Sequence, residues 1–247
     1  MLYKGKLIDK DSHLSRLMSC FEKVYFKNYP SKEEILHNID ELLKRNPNVK
    51  TASIYMQFTR GDAVRSHRFL ELDLKPNCLI KIIPCEIDEK LTKNWHCNVI
   101  DDPRRTRCDI KMISLLPMVL AKYESEKAGF DDVIFYNNKV KSITEGSSFN
   151  LFIVQNDNKI ITCPLGNEIL SGCTRARIID IIKNNNFDIE ERYFTKEELL
   201  NAREVFATGA IKLIVPIVKI DGKQIGNGKI GEITMQIFNK YIEFMNS

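Results

Sequence analysis

The sequence predicts a mixed α/β (α+β) protein in two domains, and three observations predict it. Apolar residues recur at helical spacing in some segments and at alternate positions in others, without the strict strand–helix alternation of a doubly wound sheet. A polar stretch at 86–94 separates a short first part from a longer second one. With 247 residues, the chain can bury one large core or two smaller ones. The expected division is a small N-terminal α/β domain at 1–84 and a larger C-terminal domain at 85–247.

The elements follow in order. Segment 11–26 carries Leu14, Leu17, Met18, Phe21, Val24 and Tyr25 at helical spacing, with Asp11 or Ser12 as a possible cap. A second helix opens at Ser31-Lys-Glu-Glu34, the pattern of a capping box, and runs to about 45. Segment 51–59 alternates as a strand does, with Ala52, Ile54, Met56 and Phe58 on one face, and 77–84 reads as another strand. Beyond the polar stretch, 96–100 is a candidate strand and 115–128 a helix, provided that Pro117 lies in its first turn. Short strands are expected at 133–136, 149–154 and 159–162, punctuated by turns at Asn137-Asn138 and Asn156-Asp157-Asn158. A helix at 174–184 follows, then a short one capped by Thr195-x-x-Glu198 and strands at 204–208 and 213–220. The second of these strands ends in the Asp221-Gly222 turn. Segment 231–245 closes the chain as a helix.

Composition excludes several classes. Apolar residues make up 43% and charged residues 28%, as in ordinary water-soluble proteins. A net charge of +4, well mixed along the chain, argues against nucleic acid as a partner. The longest apolar runs, such as 213–218, are strand-length, so no membrane span is expected, and the first residues show no signal-peptide core. Seven cysteines without a CxxC pair read as reduced thiols, which implies the cytoplasm. The four histidines, at 13, 37, 67 and 96, lack metal-ligand spacing, and no Gly-rich nucleotide loop appears.

Four segments can carry chemistry, each with a bland alternative. Lys111 lies among apolar residues in Asp109-Ile-Lys-Met-Ile-Ser-Leu-Leu116. It is either a stem-packed lysine with its ammonium in water or a desolvated amine suited to a Schiff base. Thr144-Glu-Gly-Ser-Ser-Phe-Asn150 is either a solvated polar hairpin or a ligand-facing loop with a carboxylate. Ser171-Gly-Cys-Thr-Arg175 precedes a helix and offers either ordinary N-capping by Thr174 or backbone N–H groups for a phosphate. Arg65-Ser-His67 is either an exposed loop or a two-donor carboxylate pocket, if the chain is extended there.

Taken together and in order, these segments resemble the class IV (fold-type IV) pyridoxal-phosphate aminotransferases. Asp-Ile-Lys111, with the following Leu-Leu-Pro-Met-Val-Leu-Ala-Lys122, is similar to the family's cofactor-lysine segment. Thr144-Glu-Gly-Ser-Ser148 with Asn150, Leu170-Ser-Gly-Cys-Thr-Arg175 and Glu204-Val-Phe-Ala-Thr208 are similar to its next landmarks. The likeness implies a two-domain aminotransferase fold and pyridoxal 5'-phosphate as cofactor. Lys111 would hold the cofactor. Glu145 would face the pyridine nitrogen, and Arg16 would grip the phosphate. Ser148, Cys173 and Thr174 would line the cofactor site, and Leu170 would pack on the ring. Within the family, Tyr55, Arg65 and His67 resemble the substrate pocket of D-amino-acid (D-alanine) aminotransferases. That likeness implies transfer from D-alanine to 2-oxoglutarate, giving pyruvate and D-glutamate, by a homodimer. Branched-chain L-amino-acid aminotransferases and aminodeoxychorismate lyases are the alternatives within the family. A truncated, weakly active or inactive relative is the alternative outside catalysis, because the family's N-terminal segment is expected to be missing ahead of Met1. Three departures stand out: Phe149 where a third serine is usual, Met112 after the lysine, and Gly209-Ala210-Ile211 in place of a hydroxyl-rich turn.

Overall fold

Two left-handed residues open the fold. Lys4 and Gly5, with φ of 49° and 85°, turn β1 (Leu2–Tyr3) back onto β2 (Lys6–Leu7). The structure is a computed structural model that describes residues 1–68, 73–104 and 106–247, and the chain divides into two compact units, Met1–Ile87 and Asp88–Ser247. In the first unit, α1 (Lys10–Lys23) and α2 (Lys32–Arg45) precede β3 (Ala52–Thr59) and β4 (Asn77–Pro84), and the antiparallel sheet runs β2-β1-β3-β4. Leu14 of α1 and Ile35 and Ile39 of α2 bury against Ile54, Met56, Phe58 and Ile80, the face that the alternation predicted. The capping box forms: the Glu34 N–H donates to Ser31 Oγ at 3.1 Å, and the Ser31 N–H donates to Glu34 Oε2 at 2.7 Å. Helix α1 ends at Lys23, short of the expected 26. Tyr25 adopts φ 53° and reverses the chain, which brings the Phe26 ring within 4.8 Å of Phe21.

The second unit comprises β5 (Trp95–Asp101), α3 (Leu116–Lys127), β6 (Asp132–Asn137), β7 (Ser142–Gly146), β8 (Asn150–Val154), β9 (Ile160–Thr162), α4 (Cys173–Asn184), β10 (Ile189–Glu191), α5 (Lys196–Leu200), β11 (Glu204–Gly209), β12 (Leu213–Ile220), β13 (Lys223–Gln224) and α6 (Glu232–Asn246). Its sheet runs β10-β9-β8-β11-β12-β5-β6-β7, and β7 pairs again with β8. Six strands, β8-β11-β12-β5-β6-β7, therefore close into a ring. Every one of them contributes to a single core, through Leu151, Ala207, Ile217, Cys97, Ile134 and Ile143 in that order. One register pair, Glu145 opposite Asn150, makes the closure.

Strand β7 is the main departure from the sequence reading, which treated 144–150 as a possible solvated hairpin. Thr144, Glu145 and Asn150 are only 1%, 5% and 5% exposed. Main-chain pairing on both sides, to β6 and β8, draws this polar segment inside. Helix α3 packs Ala121 against Val133 and Phe135, while Leu116, Val119, Leu120 and Tyr123 stay exposed. Among the described residues, no helix is long and apolar enough to cross a membrane, and no His/Cys/Asp/Glu group could hold a metal. No disulfide joins the seven cysteines.

Candidate active site

Glu145 sits at the seam of the ring, and two glycines make its position possible. After Glu145 the chain turns through Gly146, whose N–H donates to the Phe149 carbonyl at 2.9 Å. A Cβ on Gly146 would lie 2.0 Å from the Phe149 ring, so no larger residue fits this turn. Asn150 then opens β8, and its side-chain amide donates to Glu145 Oε2 at 3.0 Å and to the Leu170 carbonyl at 2.9 Å. The Leu170 N–H donates to the same Glu145 oxygen at 3.0 Å. Both main-chain groups of Leu170 are thus held by the Glu145–Asn150 pair. Gly172 follows because a Cβ there would lie 2.0 Å from Asn150 Oδ1.

The other carboxylate oxygen, Oε1, accepts from the guanidinium of Arg104, a residue that the sequence reading did not single out. Arg104 also donates from Nε and Nη2 to the two oxygens of Asp102, each at 2.8 Å, and from Nη2 to the Glu168 carbonyl at 3.2 Å. Its sequence signal is faint: a cation two residues from an aspartate, across a proline, after a strand. Burial pushes the Glu145 carboxyl up to about 7, and Arg104 is the largest influence pulling the other way.

Gly172 caps α4 and supplies no side-chain acceptor to its first N–H groups. Thr174 is therefore inside the first turn and not at the cap, which removes the ordinary-capping reading of this segment. Cys173 and Thr174 are 5% and 4% exposed. Across the sheet, Asn150 pairs with Thr208, whose buried hydroxyl Oγ1 has no hydrogen-bond partner among the described residues. Gly209 follows, and a Cβ there would lie 3.6 Å from the Ser148 carbonyl, so the exposed Ser148 loop abuts the Gly209 turn. Fully buried Asp132 fastens both: Ser147 Oγ donates to it at 2.6 Å, and Lys212 Nζ lies 3.2 Å and Lys122 Nζ 2.8 Å away. Burial pushes the Asp132 carboxyl up, but Lys122, Ser147 and Lys212 together outweigh it and hold it below the usual carboxylate value. Phe149, the departure from serine, is 4% exposed and packs with Trp95, ring centroids 5.5 Å apart.

Lys111 lies in irregular chain between β5 and α3, where the Cys108 N–H donates to the Asn167 carbonyl at 2.8 Å. That bond ties the lysine segment to the loop that carries Leu170. The apolar neighbours do not wrap the amine, as the desolvated-amine alternative would require. Lys111 is exposed, and so are Met112 and Ile113, at 42% and 63%.

Four of the expected residues belong to the first unit. Arg16 is half-buried on α1. Tyr55, on β3, is 41% exposed and its hydroxyl donates to Gln57 Oε1 at 2.6 Å. Arg65 and His67 are exposed in irregular chain between β3 and β4, not in an extended strand. In the second unit, Glu145, Leu170 and the start of α4 come together, with Asn150 as the connecting residue.

The second-unit arrangement fits pyridoxal phosphate. A carboxylate offers about four lone-pair directions, and Glu145 uses three, leaving one for a ring N–H. The α4 start without a side-chain cap and the Thr208 hydroxyl, which has no partner among the described residues, are suited to phosphate oxygens.

The chain is similar to known proteins. The class IV amino-transferase family model matches residues 1–220. The D-alanine aminotransferase of Staphylococcus haemolyticus is 36% identical over 251 residues, covering 99% of this chain and 87% of the relative. Among solved structures, the branched-chain amino acid aminotransferase from Thermobaculum terrenum, in its pyridoxal-phosphate form, superposes with a TM-score of 0.86 at 23% identity, over 96% of this chain and 78% of that one. A 4-amino-4-deoxychorismate lyase, so described for Legionella pneumophila, gives 0.86 at 20% identity, over 99% and 87%. These two likenesses speak to the fold alone.

Proposed function

Because the chain belongs to the class IV aminotransferases, we propose that it moves the amino group of a D-amino acid to a keto acid, with D-alanine and 2-oxoglutarate giving pyruvate and D-glutamate. As an aminotransferase of this class it is an enzyme that depends on pyridoxal phosphate and acts on small amino and keto acids. When bound, the cofactor supplies an electron-withdrawing pyridine ring that makes the substrate Cα–H acidic. The cofactor part of the reading is carried by the Glu145 carboxylate, buried, triply hydrogen-bonded and with one direction left for a ring N–H, and the D-amino-acid part is supported by the 36% identity to a D-alanine aminotransferase.

The remaining roles follow from the family resemblance. Lys111 holds the cofactor and moves a proton at the substrate Cα as general base and acid. Leu170 packs on the ring. Cys173 and Thr174 present α4 main-chain N–H groups to the phosphate, Ser148 lines the cofactor site, and Arg16 supplies the phosphate with a cation. Tyr55, Arg65 and His67 bind the substrate, with Arg65 and His67 holding its α-carboxylate. A homodimer is supported by the exposed Leu116, Val119, Leu120 and Tyr123 of α3, which fall on one stripe at i, i+3, i+4 and i+7. Seven cysteines without a disulfide support the cytoplasm as its location.

Assaying the purified protein with D-alanine and with L-leucine tests the substrate. D-alanine turnover is expected, and Arg65→Ala should lower kcat/KM for D-alanine by about 30-fold to several thousand-fold, the usual cost of stranding one member of a desolvated charge pair. L-leucine turnover indifferent to Arg65→Ala would replace this reading with the branched-chain one. No turnover of either, with cofactor added, would favour a relative without catalytic activity.

A further inference from the structure

We propose that Arg104 is a positioning residue that keeps Glu145 ionised for a cationic ring N–H, and that Asp102 sets how much of its charge Glu145 receives. The inference rests on reading Glu145 as the partner of the cofactor ring nitrogen. Its basis is a buried cluster whose charges do not balance. The side chains of Arg104, Asp102 and Glu145 are 8%, 6% and 7% exposed. Two ionised carboxylates and one guanidinium leave one negative charge in excess. Such an excess is costly away from water, and because Asp102 holds two Arg104 donors against one for Glu145, it is relieved when Glu145 takes a proton or a cation arrives beside it.

The geometry decides where the cation must sit. Arg104 grips Asp102 with two donors at 2.8 Å and lays its guanidinium 4.7 Å from the Phe135 ring, which fixes the plane of the fork. A single donor, Nη1, is left for Glu145. The other donors to Glu145 are neutral, and the buried guanidinium of Arg175, on the neighbouring start of α4, is engaged elsewhere, donating to the Cys163 carbonyl and to Glu191, each at 2.8 Å. Asn150 and the Leu170 N–H donate to Glu145, and burial pushes the Cys108 and Cys163 thiols up, to about 11 and about 12, so that they stay uncharged. Glu168 contributes its main-chain carbonyl to Arg104, and its carboxylate accepts from the Tyr193 hydroxyl at 3.3 Å. Arg104 is thus the cation that opposes protonation of Glu145, and Asp102 competes for it. Without Arg104 the excess would double and Glu145 would hold its proton. It would then offer a donor to the ring nitrogen instead of a carboxylate that keeps the nitrogen protonated.

The test follows the Glu145 proton directly. In the full chain without added cofactor, the infrared carboxylic C=O band that disappears in Glu145→Gln is titrated against pH. Arg104→Met should raise the proton affinity of Glu145 at least ten-fold, and Arg104→Lys should bring it back toward wild type. Asp102→Asn should lower it. If Arg104→Met does not fold, the direction of the Asp102→Asn shift decides alone. Titration of Glu145 at the wild-type midpoint in both Arg104→Met and Asp102→Asn overturns the proposal. Pyridoxal phosphate is then added to each protein. Weaker binding and an altered absorption spectrum in Glu145→Gln support the assignment of Glu145 to the ring nitrogen. Unchanged affinity and spectrum in Glu145→Gln, with the titrations shifted as expected, would remove that assignment and leave Arg104 as the residue that controls the Glu145 charge.

Discussion

Lys111 and Glu145, both proposed for the cofactor site, are specified in different ways. Lys111 is legible in sequence order alone, and its role has a covalent test. Borohydride reduction of the protein with pyridoxal phosphate, followed by peptide mapping, should place the label on Lys111. Label on another lysine would remove the assignment. Glu145 was legible as a carboxylate but not as a buried one, and burial gives it a pH signature. Its carboxyl rises from 4.5 to about 7 in the fold, so between those values the folded chain binds a proton that the unfolded chain releases. Stability from this group is therefore complete below 4.5 and is lost as pH rises through 7, a term of roughly 3 kcal/mol. Glu145→Gln without cofactor should flatten the fall in Tm over that window. A wild-type profile no steeper than that of the variant would show that Glu145 titrates normally.

At the scale of elements, local signals were reliable where the physics is local. Both capping boxes, at Ser31-Glu34 and Thr195-Glu198, form as their spacing requires. The start of α4 differs, because Gly172 is dictated by Asn150, a residue 22 positions earlier in the chain. Gly172→Ala must displace the Asn150 amide and with it the bonds to Glu145 and Leu170, costing about 1–3 kcal/mol. Urea denaturation should show that loss, and affinity for pyridoxal phosphate should fall with it. Gly209→Ala is the control: its nearest contact would be an ordinary 3.6 Å, so stability should change by less than about 0.5 kcal/mol. Equal effects of the two substitutions would mean that Asn150 is not the constraint.

At the scale of the molecule, the exposed flank of α3 carries the expectation of assembly. Leu116, Val119, Leu120 and Tyr123 are 66%, 57%, 49% and 57% exposed, on a helix whose other face is already buried. Sedimentation should show a dimer, and Leu120→Lys should weaken it by roughly ten-fold or more, since burying one such side chain contributes about 1.5–3 kcal/mol. A wild-type chain that sediments as a monomer at every concentration would refute the homodimer.

Helix and strand periods, caps and turns came from the sequence by itself, because each depends on residues a few positions apart. So did the order of the chemical residues along the chain, which identified the family before any geometry was known. Tertiary structure alone decided the rest. Ring closure buried β7 and made a polar hairpin into an interior strand. It brought Arg104 to Glu145 across 41 residues and Lys212 to Asp132 across 80. It also left the Lys111 segment on the surface although its neighbours are apolar. The reason is physical: a side chain's charge state depends on the water and charges around it, and those are set by strand pairing between distant segments.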